Sequence, residues 1–471
     1  MPKDPALPPQ AKRRRDRPAC SAACGMRLAR GLALFGGLLA AAPALAAGAL
    51  QSGPMAGPAA MREVPIWFQA DSPASARIEY WAGDEARHRH SATIKLDAAE
   101  DYAATLRLVG LEPGVRYRYQ LFIDDKAAGP VGEVATRVLW QRRRDAPDFR
   151  VLTGSCAYFK DPPYDRPGSA YGSGTGIFDA MADKQPDLTL WLGDNLYFRE
   201  ADFSPWGMGE RYRVTRARPE LQKLLRRGQH AAIWDDHDYG PNNANASWIH
   251  KGEALRLFRR YWPNPGYGLP EAPGVFTVLS LGDADFFLLD DRYYRDADPL
   301  PEQPGKAMLG PAQLRWLQNA LLNSTAAFKL IANGSQMLDD LGRHEGWNRF
   351  AGEQSGFLSW LAQSGISGLL FLSGDRHHTE LLRIERRNRY PLYELTCSPF
   401  TSGTHGVEKE RQNPNLVAGT LVGERNFCSL EFTGTGAARA VTLRSFNGEG
   451  RELWARTLTL SELGGRKRST D

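Results

Sequence analysis

The feature that most constrains this chain is a set of five short apolar runs, each of which ends in a polar cluster. The runs span residues 149–153, 188–192, 231–234, 328–332 and 369–372, and the clusters after them span 154–156, 193–197, 235–238, 333–336 and 373–378. Continuous apolar runs are typical of strands buried on both faces of a layered α/β domain. Ligands in such domains gather outside the carboxyl ends of the strands. The pattern therefore predicts an α/β fold whose polar clusters converge on one site.

Helical stretches alternate with these runs, as a layered α/β domain requires. Residues 310–323 are one candidate helix, because Pro311 suits a first turn and the leucines that follow share one face. Residues 355–364 are a second candidate. We predict that the α/β domain spans residues 149–460.

The region before this domain has a different pattern. Residues 63–138 contain short segments with period-two patterning, separated by turn residues, which indicates a run of short strands. Residues 111–119 resemble the tyrosine corner of immunoglobulin-like and fibronectin-like sandwiches. We therefore predict a small Ig/fibronectin-like β-sandwich over residues 50–140, followed by a polar, proline-bounded linker at 141–147.

The first 46 residues have the organisation of a targeting segment. Residues 31–42 are apolar, and this run is shorter than the roughly 20 residues that a membrane-spanning helix needs. Arg27 and Arg30 precede the run, and the small-residue sequence Ala-Leu-Ala follows at 44–46. We predict a signal peptide over residues 1–46 and export to the periplasm, the cell envelope or the medium, with no membrane span left after cleavage. A start at Met26 and either the Sec or the Tat export route stay open.

The predicted signal also explains the net charge. The whole chain carries 59 basic and 54 acidic residues, a formal charge of +5. Residues 1–46 hold eight of the basic and two of the acidic residues, so the rest has a net charge of −1. The electrostatic case for nucleic-acid binding therefore disappears. We expect no nucleic-acid-binding surface, and we expect the processed chain to be a monomer.

Three cysteines lie beyond the predicted signal, namely Cys156, Cys397 and Cys428. They are too few for a disulfide-built scaffold. Cys397 and Cys428 both flank predicted strands and could form a disulfide, but nothing in the sequence sets the distance between them. Since at most two of the three can pair within the chain, at least one thiol is left for another role.

The five polar clusters supply carboxylates, imidazoles, a thiol and a phenol, all of which bind metals. A highly charged metal pair needs a bridging carboxylate, and Asp194 is the best candidate because Gly193 allows a sharp turn at the strand end. Tyr197 lies near enough in sequence to bind the same ion as a phenolate. A phenolate or thiolate ligand favours a ferric-type ion over Mg²⁺. Asp375 and His377 are two residues apart, so both can face one cavity from a loop.

Five short motifs follow one another along the chain. They are Ser-Cys at 155–156, Gly-Asp-x-x-Tyr at 193–197, Trp-Asp-Asp-His at 234–237, Leu-Asp-x-Arg at 289–292 and Ser-Gly-Asp-x-His at 373–377. With the predicted N-terminal sandwich, they resemble the calcineurin-like metallophosphoesterases, and most closely the PhoD-like alkaline phosphatase D family. The resemblance implies a four-layer α/β/β/α fold and hydrolysis of phosphate monoesters or diesters. It also implies one Fe³⁺ and one or two Ca²⁺, which neutralise the phosphate and generate a metal-bound hydroxide.

The resemblance also implies roles for single residues. The residues that it assigns to the iron are Cys156, Asp194, Tyr197 and His377, and those that it assigns to calcium are Asp194, Asp236 and Asp375. Gln336 stands where related enzymes often carry a metal-binding histidine, and an amide there suits calcium's preference for oxygen. His237 matches a histidine beside the scissile phosphate, which acts as a general acid or stabilises the transition state. Asn195 and Arg292 are further candidates for contact with the phosphate.

Other functions stay open from the sequence. A purple-acid-phosphatase-like enzyme would share the Gly-Asp-x-x-Tyr motif, but Cys156 and the Asp-Asp-His at 235–237 argue against it. Cleavage of phospholipid diesters, as by a phospholipase D-like enzyme, is a further reading, and a non-catalytic envelope-binding protein is another. The substrates that we expect are small-molecule or polymeric phosphate esters, and the sequence does not separate monoesterase from diesterase activity.

Overall fold

The computed structural model describes residues 48–83, 87–168, 171–339, 341 and 345–465. The predicted signal peptide lies outside the described residues and stays a prediction. Within the described ranges, no helix is long and apolar enough to cross a membrane.

The N-terminal part of the described chain is built almost entirely of strands. They are β1 (Leu50–Ala56), β2 (Glu63–Ala70), β3 (Ala74–Ala82), β4 (Arg89–His90), β5 (Ile94–Leu96), β6 (Ala103–Val109), β7 (Arg116–Ile123) and β8 (Lys126–Ala135), with a 3₁₀ turn at Ala98–Glu100. Strands β1, β2 and β6 lie side by side in one sheet, and β4, β3, β7 and β8 form another, with β5 paired to β3. Alternate residues of β2 and β6 pack against those of β3 and β7 in a core of their own.

Helices and strands alternate from residue 149 onward. The strands are β9 (Phe149–Gly154), β10 (Leu188–Leu192), β11 (Gln229–Ile233), β12 (Thr277–Leu281), β13 (Ala284–Leu288), β14 (Phe328–Ala332), β15 (Leu369–Ser373), β16 (Glu380–Arg386), β17 (Arg389–Thr396), β18 (Asn426–Thr433), β19 (Ala440–Asn447) and β20 (Glu452–Thr459). The α-helices are α1 (Ile177–Asp183), α2 (Pro205–Arg216), α3 (Pro219–Leu225), α4 (Asp236–Tyr239), α5 (Lys251–Tyr261), α6 (Pro311–Asn323) and α7 (Ala351–Ser364). Short 3₁₀ turns lie at Glu200–Asp202, Trp347–Phe350, Glu410–Gln412 and Gly436–Ala438.

Two mixed sheets carry the candidate site. A nine-stranded sheet runs in the order β20-β19-β18-β9-β10-β11-β1-β2-β6, and a six-stranded sheet runs in the order β12-β13-β14-β15-β17-β16. Strands β9, β10 and β11 are parallel to one another, and so are β13, β14, β15 and β17. Each sheet therefore gathers several carboxyl ends at one edge.

The two sheets pack face to face across a shared aromatic core. Phe432 of the first sheet packs on Phe328 of the second, with ring centroids 5.0 Å apart. On β14, Leu330 faces this shared core while Ile331 faces helices α6 and α7. Because successive strand residues point to opposite faces, a strand covered on both sides must be apolar throughout. The layering explains why the runs in the sequence are continuous, and the predicted α/β class is confirmed.

The predicted helices and strands have counterparts in the structure. The helix predicted at 310–323 is α6, and the one predicted at 355–364 lies within α7. The N-terminal strands differ in one respect from a separate sandwich, because β1 pairs in parallel with β11 and joins their sheet to the α/β sheet. Trp67 of β2 accordingly faces the α/β core, and its indole donates to the carbonyl of Arg260. The kinship of these strands to Ig or fibronectin folds stays a prediction.

Candidate metal centre

The carboxyl ends of the two sheets meet at closely packed glycines. Gly193 follows β10 with φ +92°, and Gly374 follows β15. A Cβ on Gly374 would lie 2.6 Å from both the carbonyl oxygen of Leu192 and the Cβ of Ser155. Any larger residue at this position would push the two sheets apart. The close approach is what brings polar clusters from different sheets into one site.

Two groups of side chains at this junction could each hold a metal ion. One consists of Cys156, Asp194 and His377, and the other of Asp194, Asp236 and His237. Within each group, the potential ligand atoms lie within 4.8 Å of one another. Asp194 belongs to both, and Cys156 Sγ lies 3.6 Å from its Oδ2 while the His237 amide donates to its Oδ1 at 3.2 Å. The carboxylate therefore reaches both groups with different oxygens.

Hydroxyl groups hold the thiol in place. The side chains of Ser155 and Ser398 lie 3.3 Å and 3.2 Å from Cys156 Sγ. Ser398 also accepts a hydrogen bond from the His377 amide at 3.0 Å, so one serine links two candidate ligands. The serine at 398 was not predicted from the sequence, since it follows a strand that carries none of the five motifs.

Four of the candidate ligands have strained backbones. Cys156, Asp194, Asp375 and His377 have φ values of +63°, +51°, +62° and +55°. Non-glycine residues rarely adopt this left-handed conformation, which costs on the order of 1–3 kcal/mol each and clusters at functional sites. The surrounding packing keeps the backbone in this form, and three of the four residues, Cys156, Asp194 and His377, form one of the two groups.

The electrostatics of the junction suit a cation. Burial raises the pKa of the Cys156 thiol to about 11. Burial, together with Cys156 and Asp236, raises the pKa of Asp194 well above its usual range. Burial opposes the ionisation of Asp236, but His237 and Arg292 outweigh it and lower the pKa of Asp236 to about 2. The cluster thus crowds groups whose negative forms repel one another, and bound cations would relieve that repulsion.

Aromatic rings form one wall of the junction. Tyr197 is 4% exposed, and its hydroxyl is buried without a well-formed hydrogen bond among the described residues. Its ring lies 4.2 Å from that of His237, between centroids. Tyr171 lies beside His377, with its hydroxyl 3.3 Å from Nε2. An orphaned buried phenol suits a metal ligand, and Tyr171 is a site neighbour that the sequence patterns did not single out, because it lies in a glycine-rich loop.

The structure places Arg292 away from solvent. Its side chain is fully buried and forms ion pairs with Asp235 and with Glu345. The guanidinium is therefore engaged with buried carboxylates, and its predicted contact with a phosphate stays a prediction. Its position next to Asp236, whose pKa it lowers, indicates a positioning role. The sequence offered no sign of Glu345, which lies 53 residues from Arg292.

The remaining predicted site residues, Asn195, Gln336 and Asp375, belong to neither of the two groups. The Asn195 amide donates to the Ile233 carbonyl and to Asp238, so its NH₂ group points into the protein rather than toward a substrate. Gln336 is buried, and its NH₂ group donates to Glu380 and Thr396 at 2.8 Å and 2.9 Å. The Asp375 carbonyl lies 3.8 Å from Cys156 Sγ, while its carboxylate is in neither of the two groups. Roles for these three as ligands or phosphate contacts stay predictions.

The three cysteines in the described residues form one disulfide and leave one free thiol. Cys397 and Cys428 form a disulfide, which links the end of β17 in one sheet to β18 in the other. Cys156 is a free thiol and is buried. The thiol left over is therefore the one in the candidate metal centre.

Comparisons with known proteins match two families and one curated relative to this chain. The family described as PhoD-like phosphatase matches residues 152–442, and the family described as a domain of unknown function, DUF7800, matches residues 47–138. Alkaline phosphatase D of Bacillus subtilis (strain 168) is 23% identical over 364 residues, which cover 65% of this chain and 60% of that protein. The chain thus matches less than two thirds of the length of this curated relative.

Solved structures show the same fold. The structure of PhoD covers 90% of this chain and 95% of its own, with a TM-score of 0.70 at 17% identity. The purple acid phosphatase PPD1 from yellow lupin (Lupinus luteus) seeds covers 88% of this chain and 75% of its own, with a TM-score of 0.61 at 10% identity. Since the family match spans more than half of the sequence and includes the strand ends that build the metal centre, the chain belongs to the PhoD-like phosphatase family.

Proposed function

We propose that this protein is a metal-dependent phosphoric ester hydrolase with an alkaline phosphatase D-like activity. The observation that carries the proposal is the pair of three-residue groups that share Asp194. One group offers a thiolate and an imidazole, which are soft or intermediate ligands, and the other offers mainly carboxylate oxygen. Two unlike ligand sets joined by one carboxylate fit two unlike cations.

Iron and calcium are the cations that we propose. Cys156, Asp194, Tyr197 and His377 would hold the iron, and Asp194, Asp236 and Asp375 would hold the calcium, with Gln336 nearby as a further oxygen ligand. When bound, such ions neutralise the charge of the phosphate and activate water for attack at neutral pH. The residues contribute by fixing the ligand geometry before the substrate arrives.

His237 is the residue that we propose to act on the ester directly. Its amide is anchored on Asp194, and its ring is held against Tyr197. Burial lowers the pKa of His237, while the adjacent Asp236 opposes that shift. A neutral imidazole keeps one N–H group, which can donate to the ester oxygen as negative charge develops there. The buried pair of Arg292 and Asp235 supports this loop from behind.

The cellular setting follows from the N-terminal sequence alone. We propose export of the chain through the signal at residues 1–46, with the processed protein acting as a monomer on phosphate esters outside the cytoplasm. Sizing of the purified protein and N-terminal sequencing of the exported form test both parts.

The test of the proposed function is the substitution Asp194→Asn, with Asp283→Asn as its matched control. Both residues are buried aspartates, but Asp283 precedes β13 at the opposite edge of its sheet and pairs with Arg439. Asp194→Asn should lose both metals in elemental analysis and should hydrolyse nitrophenyl phosphate about a hundredfold more slowly. The control should keep its metals and its rate. Full metal content and activity in Asp194→Asn would refute the bridge, and parallel assays on mono- and bis-nitrophenyl phosphate would establish the ester preference.

A further inference from the structure

A cleft of about 780 Å³ lies at the opposite edge of the nine-stranded sheet from the metal centre. Strands β7 and β8 form one wall, and the end of α3 with residues 226–229 forms the other. Pro186 and Asp187, which precede β10, form its floor. The five residues of β10 separate this floor from Gly193 and Asp194, a length of about 16 Å. The cleft is therefore a place distinct from the metal centre, and it lies where the DUF7800 region meets the phosphatase region.

The charge around this cleft is positive. Its lining includes four basic residues, Arg116, Lys223, Arg226 and Arg227, and two acidic ones, Glu133 and Asp187. Arg116 is paired with Glu133 at 3.4 Å, and Lys223 is paired with Asp183 at 2.7 Å.

Two of these basic residues have unused donors. Among the described residues, neither Arg226 nor Arg227 has a carboxylate partner, although Arg226 Nε donates to the Gly53 carbonyl. Both side chains therefore keep N–H groups at the cleft that no described carboxylate binds.

A buried phenol adds a further donor. Tyr119 lines the cleft and is only 2% exposed. Its ring lies across Gly132, where a Cβ would come within 2.2 Å of the ring. Burial raises the pKa of Tyr119, while the nearby Arg226 opposes that shift. Tyr119 therefore lies beside Arg226 in the wall of the cleft, where its O–H group can donate to a ligand.

We propose that this cleft binds the phosphate groups of an anionic ligand through Arg226, Arg227 and Tyr119. Arginine presents a planar fork of donors that matches phosphate oxygens, and a phenol O–H adds a further donor. The volume of the cleft leaves room for more than one phosphate group. The same chemistry would accept free inorganic phosphate. Binding in the cleft does not depend on the proposed hydrolase activity.

The test measures binding of tripolyphosphate and of inorganic phosphate to the full chain by calorimetry. The cleft variant is Arg226→Gln with Arg227→Gln, and the matched control is Arg386→Gln with Arg387→Gln. The control pair is also adjacent, and Arg386 Nε likewise donates to a backbone carbonyl, that of Tyr390. We expect the cleft variant to bind at least about tenfold more weakly and the control to bind like the wild type. Equal weakening in both would overturn the proposal, since net charge alone would then explain binding.

Two further variants in the binding experiment distinguish this site from the metal centre. Tyr119→Phe, which removes only the hydroxyl, should weaken binding severalfold, and Asp194→Asn should leave the cleft affinity unchanged. Loss of binding in Asp194→Asn alone would place the anion at the metal centre and refute the cleft. Tighter binding of tripolyphosphate than of phosphate would identify a chain as the ligand, whereas equal affinity would identify free phosphate. Hydrolysis of nitrophenyl phosphate should be unchanged in the cleft variant, so failure of this proposal and of the proposed function can be told apart.

Discussion

Replacement of Arg292 by methionine removes a buried cation that balances several carboxylates. Arg292 and Asp235 have no exposed side-chain surface, and Glu345 is only 13% exposed. A third carboxylate, that of Asp291, has an oxygen 3.9 Å from Arg292 Nε. Removal of one partner from a buried ion pair costs about 3–5 kcal/mol, because the remaining charge is left without compensation. Since native proteins are stable by about 5–15 kcal/mol, Arg292→Met should lose a large part of its free energy of unfolding.

Urea unfolding followed by circular dichroism measures that loss, and a second substitution identifies its source. Asp235→Asn removes the negative partner, so the double variant with Arg292→Met should lose less free energy than the two single variants added together, by at least about 1 kcal/mol. Arg292→Lys keeps the charge but lacks the fork that reaches both Asp235 and Glu345, and it should be intermediate.

Kinetics then separate a positioning role from contact with the substrate. If Arg292 acts through Asp235 and the Asp236 loop, the folded variant should show a lower kcat with little change in KM for nitrophenyl phosphate. Unchanged stability together with a raised KM would refute the positioning role and support the phosphate contact expected from the sequence.

Two further predictions concern stability. Burial lowers the pKa of His230 to about 3, whereas the unfolded value is near 6.5, so at pH 5 the unfolded chain binds a proton that the folded chain does not. Lowering the pH from 6.5 to 5 should therefore reduce the free energy of unfolding by about 2 kcal/mol through this group. Urea unfolding should show a smaller reduction in His230→Gln, which keeps a donor and an acceptor. An equal pH dependence in both proteins would contradict this. The disulfide between Cys397 and Cys428 has a sequence separation of 31 residues, so replacing both cysteines by serine should lower the free energy of unfolding by about 3–4 kcal/mol. Reductant should destabilise the wild type and leave the double variant unaffected. An equal effect of reductant on both proteins would argue against the pairing.

Residue patterns were enough to predict the strands and the candidate ligands. Continuous apolar runs indicated buried strands because a strand covered on both faces needs apolar side chains at every position. Parallel strands place their carboxyl ends at one edge, so the sequence predicts that the polar clusters after β9, β10, β11 and β15 meet. The bridging position predicted for Asp194 is a local consequence of this rule, and the metal content of Asp194→Asn tests it.

Which distant groups face one another depends on the tertiary structure. Arg292 looked like a phosphate contact because its charge is visible in the sequence, whereas its burial against Asp235 and Glu345 depends on how loops from three strands pack. The disulfide, the cleft at Tyr119 and the joining of β1 to β11 are of the same kind. Periodicity records which face of an element is buried, but it carries no distance between segments far apart in the chain. Those distances arise when the two sheets close on each other, and they decide whether a charged side chain meets a substrate, a metal or another buried charge.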